Sequence, residues 1–129
     1  LRFGENYLKP KKKYIKSTSK FKIKGLSGAL IIMRVLRFTL HRKWFDEIAA
    51  GIKKKEYRSI KPYWESRLLD NGEFRIYDEV WFTNGYGATR PFMRVEFLGT
   101  EYDNYEGELH FAINFDEIFE IKNYAVSIK

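Results

Sequence analysis

The chain has 129 residues with nine Tyr, eleven Phe, three Trp and a formal net charge of +7, a length that suits one domain able to hide roughly two-thirds of its unfolded surface. It has no cysteine, which excludes disulfides, thiolate metal sites and a cysteine nucleophile; its two histidines, His41 and His110, show no zinc spacing, so neither metal nor cofactor is expected. No apolar run approaches the ~20 residues that span a membrane, and Ala29 to Ile32 is too short for a signal core, so the expectation is a cytoplasmic globular protein with no membrane partner.

The charge is unevenly spread. Residues 1–32 hold nine bases against one acid (+8), residues 33–67 ten against four (+6), and residues 68–129 five against twelve (−7). Such asymmetry bears on partners more than on fold. Residues 1–32 read as a basic N-terminal extension that stays flexible. Lys9-Pro10-Lys11-Lys12-Lys13 is a like-charge block, and like charges oppose compaction. Phe21 to Lys24 alternates as a short edge strand would, until Gly25, Ser27 and Gly28 end it. Two plain readings come first: a tail without a role, or sequence upstream of a start at Met33. The third is an electrostatic arm that holds nucleic acid.

From Met33 the pattern is that of a folded domain, residues 33–129. Arg34 to Leu40 is β-rich, with Leu36, Phe38 and Leu40 on one face. Trp44, Phe45, Ile48 and Ala49 recur at helical spacing, Asp46 and Glu47 point away, and Gly51 is placed as the C-terminal cap. So short a helix depends on packing against a sheet. Lys53 to Ser59 reads as a strand. Pro62 opens a second short helix over Tyr63 to Leu69, with Tyr63, Trp64, Arg67 and Leu68 on one side, and Asp70-Asn71-Gly72 is a turn. Asp78 to Thr83 is a strand with Val80 and Phe82 inward. Pro91 to Gly99 is another, with Met93, Val95 and Phe97 inward and Arg94 and Glu96 opposite. Leu109, Phe111, Ile113 and Phe115 alternate with His110, Ala112 and Asn114, the clearest period-two run in the chain. Ile118 to Ile121 adds a terminal strand. About five or six short strands with two helices inserted early predict a mixed α+β fold, a small β-barrel with helices over its openings.

The densest chemistry lies in the octet Gly51 to Arg58. Glu56 and Arg58 share one face of an extended strand, their Cα atoms roughly 6.6 Å apart. Lys53 is an odd number of residues from Glu56, so it joins them only if the chain bends after Gly51, which glycine permits. Converged, the three would set two cations around one carboxylate, with the Arg58 fork suited to carboxylate, phosphate or a base edge. The plainer reading is a solvated strand edge guarded by lysines. Further on, Asn84-Gly85-Tyr86-Gly87 offers a hydrogen-bonding amide and a stacking ring. It reads equally as a tight loop whose Tyr86 covers one end of the barrel. Arg90 and Arg94 could add phosphate contacts. Glu79, Glu96 and Glu101 have no evident pairing and read as solvated. Trp44, Trp64 and Trp81 read as packing residues.

Gly51, Lys53, Glu56 and Arg58 match G-x-K-x-x-E-x-R in register. With the preceding strand and helix, Pro62-Tyr63-Trp64, Asn84-Gly85-Tyr86-Gly87 and Pro91 to Val95, residues 33–122 resemble the ASCH-domain family of PUA-like proteins. The resemblance implies a PUA-like β-barrel with a cleft beside the first helix, and RNA or a nucleotide as partner. Gly51, Lys53, Glu56, Arg58, Asn84 and Tyr86 would form the ligand-binding set. It also implies an alternative: a hydrolase on the same cleft, either a ribonuclease or an amidohydrolase acting on acetylated cytidine, with Lys53 and Glu56 catalytic. Glu56 falls where the amidohydrolases carry a threonine nucleophile, and a carboxylate would give a labile anhydride instead. Glu56 would then act as a general base, with His41 as a conceivable partner; a surface helix cap is the plainer role for His41.

Overall fold

The structure, a computed structural model, describes residues 19–22 and 30–125. The lysine block at 9–13 and the Gly25, Ser27 and Gly28 breaks lie outside them. Strands β1 (Ser19–Lys22) and β2 (Leu30–Met33) pair antiparallel as a separate ribbon, so β2 straddles the boundary expected at residue 33. After Arg34 comes β3 (Val35–Leu40), with Leu36, Phe38 and Leu40 buried and Arg37 and Thr39 exposed. Helix α1 (Arg42–Ala49) buries Phe45 and Ile48. Strand β4 (Lys55–Ser59) follows, then α2 (Pro62–Leu68), headed by Pro62 and burying Leu68. The Asp70-Asn71-Gly72 turn closes a small hairpin, β5 (Leu69–Asp70) with β6 (Glu73–Phe74). Asn71 and Gly72 both have positive φ, 53° and 80°, as a two-residue hairpin turn requires.

The main sheet adds β7 (Glu79–Asn84), β8 (Phe92–Tyr105) and β9 (Glu108–Lys122), in the order β3-β7-β8-β9-β4. Among the described residues the result is a small mixed α+β fold with two helices and a five-stranded main sheet. Only β3 and β7 run parallel, and α1, β4, α2 and the small hairpin lie in the crossover between them. Arg34 and Asp78 clamp the start of that pair: each backbone N–H is bonded across, to the Asp78 carboxylate and to the Arg34 carbonyl, both at 2.8 Å.

Strands β8 and β9 are much longer than the sequence pattern suggested. Ile118–Ile121 is a continuation of β9 rather than a new strand. Three register shifts between Arg94 and Gly99 interrupt their ladder, and such bulges bend and twist a strand pair. The bend curls the sheet, so that β4, paired with the first half of β9, swings round toward β3, whose neighbour β7 pairs with the first half of β8.

The sheet does not close into the expected barrel. The edges β3 and β4 are not hydrogen-bonded to each other. Side chains stand in the gap: the Arg58 guanidinium lies 4.7 Å from the Phe38 ring centre and 5.3 Å from that of Trp64. The core is built from the inward faces of β3, β7, β8 and β9 against α1 and α2, with Phe45, Phe82, Phe111 and Phe115 as its largest members. Fully burying one such side chain contributes about 1.5–3 kcal/mol. Two positions of the β9 alternation depart from expectation. Leu109 is 53% exposed because it lies at the tip of the β8–β9 hairpin, beyond the core, and Ala112 is fully buried on the opposite face.

Candidate functional site

Helix α1 ends in a cap that sets the geometry of the octet. Gly51 takes φ +79°. Its N–H donates to the Ile48 carbonyl (3.0 Å) and that of Ile52 to the Glu47 carbonyl (2.9 Å), the paired bonds of a Schellman motif. The Lys53 N–H reaches the same Glu47 carbonyl at 3.1 Å. This reversal returns Lys53 toward β4, where Glu56 and Arg58 share the inward face opposite Ile113 and Phe111.

The three charged groups therefore do converge. Lys53 Nζ lies 3.3 Å from Glu56 Oε1 and donates to the Lys55 carbonyl at 2.8 Å, with the Trp44 ring 5.1 Å away. Arg58 Nη1 donates to Glu56 Oε2 and to the Tyr57 carbonyl. Glu56 is only 5% exposed. Its Oε1 makes no hydrogen bond, so the contact with Lys53 is an ion pair without hydrogen-bond alignment. Lys53, Glu56 and Arg58 are thus neither a solvated edge nor three open ligands, but a cation–carboxylate–cation cluster around a buried Glu56.

Arg58 is the member that reaches open space. It borders a cleft of about 560 Å³ at the unpaired seam between β3 and β4. Phe38 and Trp64 stack at 5.1 Å on one side, with Tyr63 edge-on to Trp64. Trp81 and Phe92 meet edge to face at 5.3 Å on the other. Arg37 lies over Trp81 at 4.9 Å, and Arg90 enters from the loop before β8. Among the described residues the lining holds three arginines and no acidic residue. Neither Lys53 nor Glu56 lines it; they hold Arg58 from behind.

The second candidate group is dispersed. Asn84 Nδ2 donates to the Leu40 carbonyl at 2.9 Å and the Asn84 N–H to the Pro91 carbonyl at 3.1 Å, tying the ends of β3, β7 and β8. Tyr86 is 88% exposed and covers nothing, because Gly85 and Gly87, both at positive φ, turn the loop outward. That loop positions Arg90 instead, whose Nη1 donates to the Gly87 carbonyl at 2.7 Å. His41 is an exposed cap whose carbonyl accepts from the Trp44 and Phe45 N–H groups.

Arg94 is not available for phosphate. Its Nε and Nη2 form a 2.9 Å fork on Glu79, and Nη1 bonds Glu120 at 3.1 Å. The Glu79 bond holds the guanidinium even more firmly protonated than usual, against the opposing effect of burial. Glu79, read as solvated, is buried and also accepts from Trp81 Nε1 at 2.8 Å. Glu101 pairs with Lys55 at 3.2 Å, beside Asp103 at 3.3 Å. The Lys55 hydrogen bond holds the Asp103 carboxyl below its usual range.

Of the cleft residues, Arg37 and Phe92 were not singled out from the sequence, and Trp64 and Trp81, read there as packing residues, also line the cleft. Their signal was present: Arg37, Trp81 and Phe92 occupy the outward positions of strands whose alternate residues are core. Among the described residues no group of three or more His, Asp or Glu could hold a metal, and no helix is long and apolar enough to cross a membrane. Comparison with protein-family models, with curated proteins and with solved structures found no match to this chain.

Proposed function

We propose that this chain is an RNA- or nucleotide-binding domain that takes its ligand in the cleft at the β3–β4 seam. One observation carries this reading: three arginines converge on a cleft walled by aromatic rings, with no carboxylate in the lining. Guanidinium groups meet phosphate or base carbonyls in a planar fork, and aromatic faces stack bases regardless of their identity. Arg58 contacts the ligand directly, while Lys53 and Glu56 fix its position and Gly51 fixes theirs. Asn84 and Tyr86 do not line the cleft and bear on it through the loop that carries Arg90. The order of elements around the octet supports assigning the curled sheet to the PUA-like class and the chain to the ASCH-domain family, in a cytoplasmic setting. The hydrolytic alternative would need Lys53 and Glu56 to reach substrate. Both are engaged in the buried cluster, so binding is the reading we favour.

Trp64 and Trp81 make the test direct, since stacking in the cleft should quench tryptophan fluorescence. Nucleoside monophosphates and short single-stranded RNA are titrated into the chain and into an Arg37→Ala/Arg90→Ala variant. Neither arginine contacts the Lys53–Glu56–Arg58 cluster, so the variant leaves that cluster intact. Affinity should fall at least roughly tenfold, the scale of lost charge-assisted hydrogen bonds. A parent that binds none of these ligands, or a variant that binds them equally well, overturns the proposal.

A further inference from the structure

The cleft does not end at Trp81. A second hollow of about 370 Å³ shares Trp81, Arg90 and Phe92 with it and continues to Lys122. The strand registers explain the continuity. Thr39, Thr83, Phe92 and Lys122 are cross-strand neighbours in one outward row, and Arg37, Trp81, Arg94 and Glu120 in the next. The two rows cross four adjacent strands, from β3 to β9, a span of about 14 Å at the usual strand spacing.

Charge along this path is selective. Arg58, Arg37 and Arg90 supply cations at the cleft end. Lys122 supplies one at the far end, 5.3 Å from the Phe92 ring centre. Of the carboxylates on this face, Glu79 and Glu120 are bonded by Arg94, and Glu96, across from Glu79, accepts from the Glu117 N–H at 3.5 Å. Arg94 is thus engaged by the two acids rather than free for a ligand, its single charge offsetting one of their two. Lys122 also lies 3.8 Å from Glu120 but remains exposed.

We propose, building on the binding reading above, that the ligand is a single-stranded oligonucleotide rather than a free nucleotide. One nucleotide occupies the cleft beside Arg58 and Trp64. The strand then passes over Trp81 and Phe92, with Arg90 between the two hollows, and a phosphate two or more nucleotides away meets Lys122. At the roughly 3.4 Å per nucleotide of a stacked strand, 14 Å accommodates about four nucleotides, and fewer if the strand is stretched. A mononucleotide cannot reach both Arg58 and Lys122.

The experiment compares uridine monophosphate with a uridine tetranucleotide on the full chain, the Lys122→Ala variant and the Lys122→Glu variant, across a salt series. The full chain also carries the basic residues 1–32, so the readout is the difference between parent and variant. The tetranucleotide should bind tighter than the monophosphate. Lys122→Ala should weaken the tetranucleotide several-fold and flatten its log K against log salt slope by about 0.7, one single-strand phosphate contact. Lys122→Glu should weaken it further, and monophosphate affinity should not change in either variant. If the tetranucleotide binds no tighter than the monophosphate, or its slope is the same in all three proteins, the extended path is wrong while nucleotide binding in the cleft still stands. If neither ligand binds the parent, both proposals fall.

Discussion

The Arg58 guanidinium sits 4.7 Å from the centre of the Phe38 ring, joining the two strands that the sheet leaves as unpaired edges. The same guanidinium is bonded to the buried carboxylate of Glu56 and borders the cleft. One side chain therefore closes the fold on one side and faces the cleft on the other. Stability and binding at this position should be separable by substitutions that remove only one of its contacts.

Arg58→Lys keeps a cation beside Glu56 but loses the planar group between Phe38 and Trp64. Lysine is a point charge without a fork, and a desolvated cation–ring contact is worth up to about 2 kcal/mol. Folding stability should fall by about 1–2 kcal/mol while RNA affinity falls at least roughly tenfold. Denaturant unfolding beside a binding titration checks both, and undiminished affinity would show that Arg58 does not contact the ligand.

Glu56→Gln should be costly, because it leaves two partly buried cations with no carboxylate. Breaking such a cluster by removing one partner typically costs about 3–5 kcal/mol, whereas replacing the whole set by apolar residues of similar volume is often neutral or stabilising. Lys53→Met/Glu56→Leu/Arg58→Met should therefore be more stable than Glu56→Gln alone. A single-variant loss below about 1 kcal/mol in urea unfolding would show that the cluster is solvated.

Gly51→Ala tests the cap. A Cβ at Gly51 meets no atom within 4 Å, so the whole cost lies in its φ of +79°. The left-handed conformation costs a non-glycine residue roughly 1–2 kcal/mol. Asparagine, which tolerates that region, should cost less than alanine. Equal stability of all three proteins in thermal unfolding would mean that α1 ends without this cap.

Acid should loosen the protein at two identified carboxylates. Hydrogen bonds from Arg42 and then Tyr124 hold Asp46 below its ordinary 3.8, and Lys55 does the same for Asp103. A depressed folded-state value means that the unfolded chain takes up protons first. The contribution is therefore fully present above the ordinary value and is lost as pH falls through the lower, folded one. Unfolding midpoints measured from pH 6 to pH 2.5 should drop less steeply in Asp46→Asn/Asp103→Asn than in the parent. Identical acid limbs would show that these two groups are not responsible.

The sequence by itself determined the local features. Leu36, Phe38 and Leu40 face the core because strand side chains alternate, and Gly51 ends α1 because few other residues accept its φ. Pro62 begins α2 because a first helical position needs no N–H. The convergence of Lys53 on Glu56 was also legible as a condition: it required a bend after Gly51, and the cap supplies one. Such facts depend on a few neighbouring residues and short-range sterics.

Only the tertiary structure decided the rest. Local pattern does not reveal that β3 pairs parallel with β7, or that β8 and β9 run on past Gly99 to a hairpin at Glu106 and Gly107 and bend on the way. That bend brings the edges β3 and β4 together without joining their backbones, and so places Arg58 beside Arg37, Trp81 and Arg90. It also decides that Glu56 is buried and that the Arg94 fork is spent on Glu79, since both depend on which residues lie opposite across strands distant in sequence. The cleft is a product of sheet order and curvature, which arise from long-range pairing and packing of the whole chain.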